Sequence, residues 1–66
     1  MNVTGLSTNG LKLLHETIRR ALDEDDALPK DSKKYGVREY PDWRDQSEQF
    51  EAELINRSEP FSPIIW

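Results

Sequence analysis

The chain of 66 residues has no cysteine and a single histidine, His15. Disulfides are therefore impossible, and a structural zinc site, which draws its four ligands mainly from cysteine and histidine, is not expected. The three glycines, Gly5, Gly10 and Gly36, are scattered, so the sequence has no glycine-rich loop of the kind that cradles phosphates. We expect no metal and no cofactor.

Catalytic signals are equally scarce. The segment from His15 begins like the helical His-Glu-x-x-His motif of zinc hydrolases, but Arg19 stands where the second histidine would be. Paired carboxylates need a concave, partly dry site to shift their pKa values, and so short a chain can barely enclose one. We expect the protein not to be an enzyme.

Long apolar runs are also missing, so the sequence predicts no transmembrane helix. Residues 1–6 contain no basic region followed by an apolar stretch, and we expect no targeting peptide there. The lack of cysteine fits a reducing compartment. A cytoplasmic location is the resulting expectation.

The size of the chain favours a binding partner, and its charge limits what that partner is. A chain of this length forms one domain and buries only about 60% of its unfolded surface, so self-association or a protein partner would add useful stability. The net charge is −4, divided as −2 over residues 1–29, +2 over 30–44 and −4 over 45–66. Because no sustained basic face exists, nucleic acid is not expected as a general partner, although a small anion site remains possible.

The first helix is predicted from about residue 8 to about residue 24. Ser7 is a suitable N-cap, and Leu6 and Leu11 have the spacing of a hydrophobic staple. The predicted apolar face consists of Leu11, Leu14, Ile18, Ala21 and Leu22. Four acidic residues follow at 23–26, where the helix dipole is already negative, so we expect fraying and a solvated acidic cluster.

The second helix is predicted from about residue 42 to about residue 56, with Pro41 and Asp42 at its start. One side of this helix forms a narrow seam that suits one neighbouring helix, because its residues recur at intervals of four, three and four: Trp43, Ser47, Phe50 and Leu54. We predict a single, mainly α domain, a two-helix hairpin with a structured loop at 25–40 and an extended apolar C-terminal tail at 57–66. An alternative form of this fold adds a minimal β pair between residues 35–40 and 61–66.

Two aliphatic side chains lie outside the predicted apolar faces of the helices. Leu13 is roughly opposite the face of the first helix, and Ile55 is off the seam of the second. The tail ends with Trp66 and seeks burial on its own helices, on a second protomer or in another protein. We predict a non-enzymatic protein interaction module, an accessory, regulator or inhibitor, with Leu13, Ile55 and Trp66 as apolar anchors and Arg38 and Arg44 as polar contacts.

A second hypothesis concerns the loop that is rich in aromatic and basic residues. In it, a nucleic acid or small anion would bind to Lys33, Lys34, Tyr35, Arg38 and Tyr40. The structural alternative is that Tyr35, Val37 and Trp43 fill the open end of the helix pair while the cations stay solvated.

A third hypothesis is an acidic mimic that blocks a basic groove. It rests on Asp45, Glu48 and Glu51, which recur at three-residue intervals along the second helix. The alternative is a solvated helix face on which Arg44 and Glu48 pair.

Overall fold

Two antiparallel helices form the frame of the computed structural model, which describes residues 2–66. After a short 3₁₀ turn at Val3–Gly5, helix α1 spans Thr8–Asp26 and helix α2 spans Pro41–Asn56. The prediction of a mainly α hairpin is confirmed. Helix α1 continues two residues beyond its predicted end. No helix among residues 2–66 is long and apolar enough to cross a membrane.

Helix α1 begins as the sequence predicts. The Ser7 hydroxyl accepts a hydrogen bond from the Gly10 N–H at 3.0 Å, and the Ser7 carbonyl accepts the first helical bond from Leu11 at 2.9 Å. The cap satisfies a backbone donor that has no partner within the helix. Leu11 and Ile18 of this helix are buried in the core.

The core is small and draws on every part of the chain. Its buried apolar side chains are Leu11, Ile18, Ala21 and Leu22 of α1, Phe50 and Leu54 of α2, Val37 of the loop and Ile64 of the tail. The loop and the tail are therefore parts of the core rather than additions to it. In so short a chain, losing either one would remove a substantial share of the buried apolar area.

Helix α2 ends in a Schellman motif. The Glu59 N–H donates to the Leu54 carbonyl at 2.9 Å, and the Ser58 N–H donates to the Ile55 carbonyl at 3.0 Å. Ser58 adopts φ 57°, in the left-handed region. This sharp turn directs the chain back along the hairpin.

The tail docks on its own helices and runs antiparallel to α2. Glu59 pairs with Lys12 at 3.2 Å, Ile64 is buried, and Trp66 reaches the start of α2, where Arg44 lies over its ring. Within this single chain, the tail therefore packs on its own helices.

The expected β pair is wrong, because no strand occurs among residues 2–66. The physical reason is that the necessary backbone donors have other partners. The Ile64 N–H donates to the Glu51 carboxylate, and the N–H groups of Lys34 and Val37 donate to the Asp25 carboxylate. Carboxylate side chains accept the backbone hydrogen bonds that a neighbouring strand would otherwise accept.

Replacing Ser58 by glycine should stabilise the fold. A left-handed conformation costs a non-glycine residue about 1–2 kcal/mol, and glycine avoids this cost. Glycine also loses more conformational entropy on folding, which cancels part of the gain, so we expect a net stabilisation of about 0.5–1 kcal/mol. Urea denaturation measures the change. The matched control is Ser62→Gly in the exposed tail, where φ is not positive and the same substitution should destabilise. Equal effects of the two substitutions would contradict the assignment.

Candidate functional site

The loop between the helices is organised by one buried carboxylate. Asp25, in the last turn of α1, is 2% exposed. Its Oδ1 accepts hydrogen bonds from the N–H groups of Lys34 and Tyr35, each at 3.0 Å, and its Oδ2 accepts one from Val37 at 2.9 Å. Three backbone donors thus converge on one side chain, and they hold the loop against the end of α1.

The charge of Asp25 is stabilised by these contacts. Burial alone would raise the pKa of Asp25, but the hydrogen bonds from the backbone N–H groups of Val37, Tyr35 and Lys34 outweigh it and lower the pKa below its ordinary value. The Gly36 backbone has φ 69°, which glycine adopts without strain. The expectation of a solvated acidic cluster is therefore wrong for Asp25.

Its neighbours in the cluster are paired with the loop's cations. Arg38 makes a two-pronged contact with the Asp26 carboxylate at 2.8 and 2.9 Å, and this hydrogen bonding lowers the pKa of Asp26 and raises the pKa of Arg38. Lys34 lies 3.9 Å from Glu24. The acidic end of α1 is thus an attachment point for the loop, and the pairing offsets the unfavourable helix dipole.

The same loop builds a corner with the tail and the start of α2. We call it the Trp66 corner; its lining residues are Val37, Arg38, Tyr40, Pro41, Arg44, Asp45 and Trp66, around a cavity of about 260 Å³. The Arg44 guanidinium lies 5.7 Å from the centre of the Trp66 ring. Arg38 donates to the Trp66 carbonyl at 3.1 Å. Cations and aromatic rings therefore meet at one partly exposed surface.

Three of the five predicted partner-contact residues meet at this corner: Arg38, Arg44 and Trp66. Ile55, 67% exposed, follows Arg44 by eleven residues, about three turns, and so lies further along the same flank of α2. Leu13, 68% exposed, is two residues from both Leu11 and His15, which are buried. A separation of two residues rotates its side chain by about 200° around the helix axis, so Leu13 lies on another face and does not line the corner.

Sequence reasoning missed Ile65, which is 83% exposed beside Trp66. The pair of neighbouring isoleucines in an extended tail could have indicated it, because successive side chains of an extended chain face opposite sides. Once Ile64 enters the core, Ile65 must face outward. Tyr40, 63% exposed, was assigned to the loop hypothesis but also lines the Trp66 corner.

A second cavity, of about 460 Å³, lies in the loop. We call it the loop cavity; it is lined by Lys30, Asp31, Lys33, Lys34, Tyr35, Gly36, Glu39 and Tyr40. It includes four of the five residues of the loop hypothesis, whereas Arg38 is assigned to the Trp66 corner. The structural alternative holds for Val37, which is fully buried, and for Trp43, which packs against the core 6.2 Å from the Tyr35 ring.

A buried network fastens the tail to both helices. The Glu51 Oε2 lies 2.8 Å from the His15 Nε2 and accepts a hydrogen bond from the Ile64 N–H at 3.0 Å. The Phe61 ring meets His15 edge to face at 5.7 Å. Arg19 adds a bond to the Ser62 carbonyl.

The three acidic residues of the mimic hypothesis have different surroundings in the structure. Glu51 faces the tail and belongs to the structure rather than to a solvated face. Glu48 pairs with Arg44 at 3.3 Å, as predicted for residues four apart. A continuous acidic surface through Asp45, Glu48 and Glu51 is therefore weakened at two of its three positions.

Comparisons with protein-family models, with curated protein sequences and with solved structures find no match for this chain. Function must therefore be inferred from the arrangement of the described residues. The Trp66 corner and the loop cavity are the two places where the predicted contact residues meet.

Replacing Asp25 by asparagine should destabilise the fold far more than Asp23→Asn, its control in the same acidic cluster. Asparagine has one acceptor oxygen and turns an N–H₂ group toward backbone donors. Urea unfolding followed by circular dichroism measures the difference. Equal midpoints for the two variants would contradict a special role of Asp25.

Acid should remove the same contribution. The folded-state pKa of Asp25 lies below its ordinary value of 3.8, so its stabilisation is complete above about pH 4 and is lost as the pH falls through the folded-state pKa. The stability of Asp25→Asn should accordingly depend less on pH below 4 than that of the unchanged protein. Parallel pH profiles would refute the linkage.

Replacing Glu51 by alanine should loosen the tail without unfolding the hairpin. A hydrogen bond to a charged group contributes about 1.5–3 kcal/mol, so exchange of the Ile64 amide should accelerate by about tenfold or more. Hydrogen exchange followed by NMR gives the rate. Glu48→Ala, on the exposed side, should leave that rate unchanged; acceleration by both variants would place the cause elsewhere in α2.

Proposed function

We propose that the chain is a small non-enzymatic protein interaction module that binds a protein partner through the Trp66 corner, acting as an accessory, regulator or inhibitor. The supporting observation is that Arg38, Arg44 and Trp66, distant in sequence, meet around one cavity. A cytoplasmic location and the lack of a cofactor belong to the same proposal.

The chemistry of the corner suits protein recognition. Tryptophan, tyrosine and arginine contribute most of the binding energy in typical interfaces. Here Trp66 is held by Arg44 on its ring and by Arg38 on its carbonyl, so little conformational entropy remains to be lost on binding. The exposed side chains of Ile65 and Tyr40 add apolar area beside it.

The rim indicates what the partner looks like. Arg38 is paired with Asp26 and Arg44 with Glu48, so charges of both signs border the apolar centre. Such a rim favours a partner with an apolar groove and mixed charges over a polyanion. We propose a different protein as this partner; a second copy of this chain is the competing outcome of the test.

The other hypotheses find less support. A polyanion would meet a chain of net charge −4 whose loop cations Lys34 and Arg38 already face carboxylates. An acidic mimic would need Glu51, which holds the tail. Catalysis by the His15 and Glu51 pair would compete with the same structural task.

Ile65→Glu tests the interface, because it places a charge on the exposed side of the tail while Ile64 keeps its place in the core. Leu13→Glu is the matched control, an equal change at an exposed side chain on another face. Both variants should retain the helical circular dichroism of the unchanged protein. A partner isolated with the intact chain and then purified is titrated with all three proteins by calorimetry.

We expect Ile65→Glu to weaken binding by tenfold or more, roughly 1.4 kcal/mol, and Leu13→Glu to leave it unchanged. Loss of binding only with Leu13→Glu would place the interface on the outer face of α1. Light scattering of the purified chain identifies self-association. Equal binding by all three proteins would overturn the proposal for both faces.

A further inference from the structure

The loop cavity carries cations that the Trp66 corner does not use. Three lysines line it, Lys30, Lys33 and Lys34, together with the carboxylates of Asp31 and Glu39, which leaves a local charge of +1 in a protein of net charge −4. Lys34 also lies 3.9 Å from Glu24, so the excess is small and rests mainly on Lys30 and Lys33. A short anion can use it, whereas a long polyanion would also meet the acidic surroundings.

Lys33 is held in place before any ligand arrives. Its ammonium donates to the carbonyls of Asp25 and Leu28 at 2.5 and 3.0 Å, at the end of α1. An ammonium has three N–H donors, so one remains for an anion. Because the side chain is already ordered, binding costs less entropy than it would at a mobile surface lysine.

Two tyrosines complete the cavity and point to a ring in the ligand. The Tyr40 ring lies directly over Gly36, so close that a Cβ added at Gly36 would be 2.7 Å from it. Tyr35 lies beside Lys34, whose Nζ is 5.2 Å from the centre of the Tyr35 ring, and the hydrogen bond with Tyr35 helps to raise the pKa of Lys34. Lys34 therefore keeps its charge beside an aromatic surface.

We propose that the loop cavity binds a small anion that carries an aromatic ring, with a nucleoside monophosphate as the representative chemistry. The lysines receive the phosphate, and a tyrosine ring stacks on the base. The two proposed sites share Tyr40, but the cations differ, since Lys30, Lys33 and Lys34 lie outside the Trp66 corner, and variants of these lysines therefore test the loop cavity alone.

The probes are AMP, adenosine and inorganic phosphate, each titrated into the full chain with amide NMR shifts recorded at low and moderate salt. AMP should bind more tightly than either fragment, with the largest shifts at residues 30–36 and 39–40. Absence of saturable shifts with AMP would overturn the proposal. So would a single-stranded oligonucleotide that binds more tightly than AMP with a steep salt dependence, because it would identify a polymer site.

The variants are Lys30→Gln and Lys34→Gln, with Lys12→Gln as the control of equal charge change beside the tail. Each loop variant should weaken AMP binding by about two- to fivefold, the range of an exposed ion pair. Lys12→Gln should leave it unchanged. Equal weakening by all three variants would show general charge attraction and would overturn the site, provided that circular dichroism shows all three folded.

Discussion

The fold depends on a carboxylate that accepts backbone hydrogen bonds where a strand would ordinarily do so. Asp25 stands at the end of α1 and gathers the N–H groups of the following loop. A loop without regular structure has many such donors, and leaving them buried and unpaired would cost more than a domain of this size can offset. By satisfying three at once, Asp25 allows Val37 to enter the core.

Both candidate sites are consequences of this attachment. One side of the loop carries Lys33, Lys34 and Gly36 and encloses the loop cavity. The other side carries Arg38 to the tail and forms the Trp66 corner. The acidic end of α1 is electrostatically unfavourable alone, and it becomes favourable once the loop cations dock on it. Local sequence and tertiary structure are therefore coupled at this point.

The helices were predictable because their signals are local. The Ser7 cap and the apolar spacing of α1 and α2 need no distant information. The roles of Asp25 and Glu51 were not predictable, since each carboxylate accepts hydrogen bonds from backbone N–H groups nine or more residues away along the chain. A buried and an exposed carboxylate look the same in a sequence. The exposed Ile65 was recoverable from its neighbour, once Ile64 was known to be buried.

Binding and stability share residues in a protein this small. Trp66 packs against the core and also lines the corner, so a substitution there would disturb folding and recognition together. Ile65 is largely exposed, and so is Leu13, which lies on another face. The buried anchors of the tail, Ile64 and the Glu51 carboxylate, hold the segment in place. Trp66 shares both tasks, whereas Ile65 faces outward on a tail that Ile64 and Glu51 already order, so a partner at this face would meet a segment with little conformational entropy left to lose.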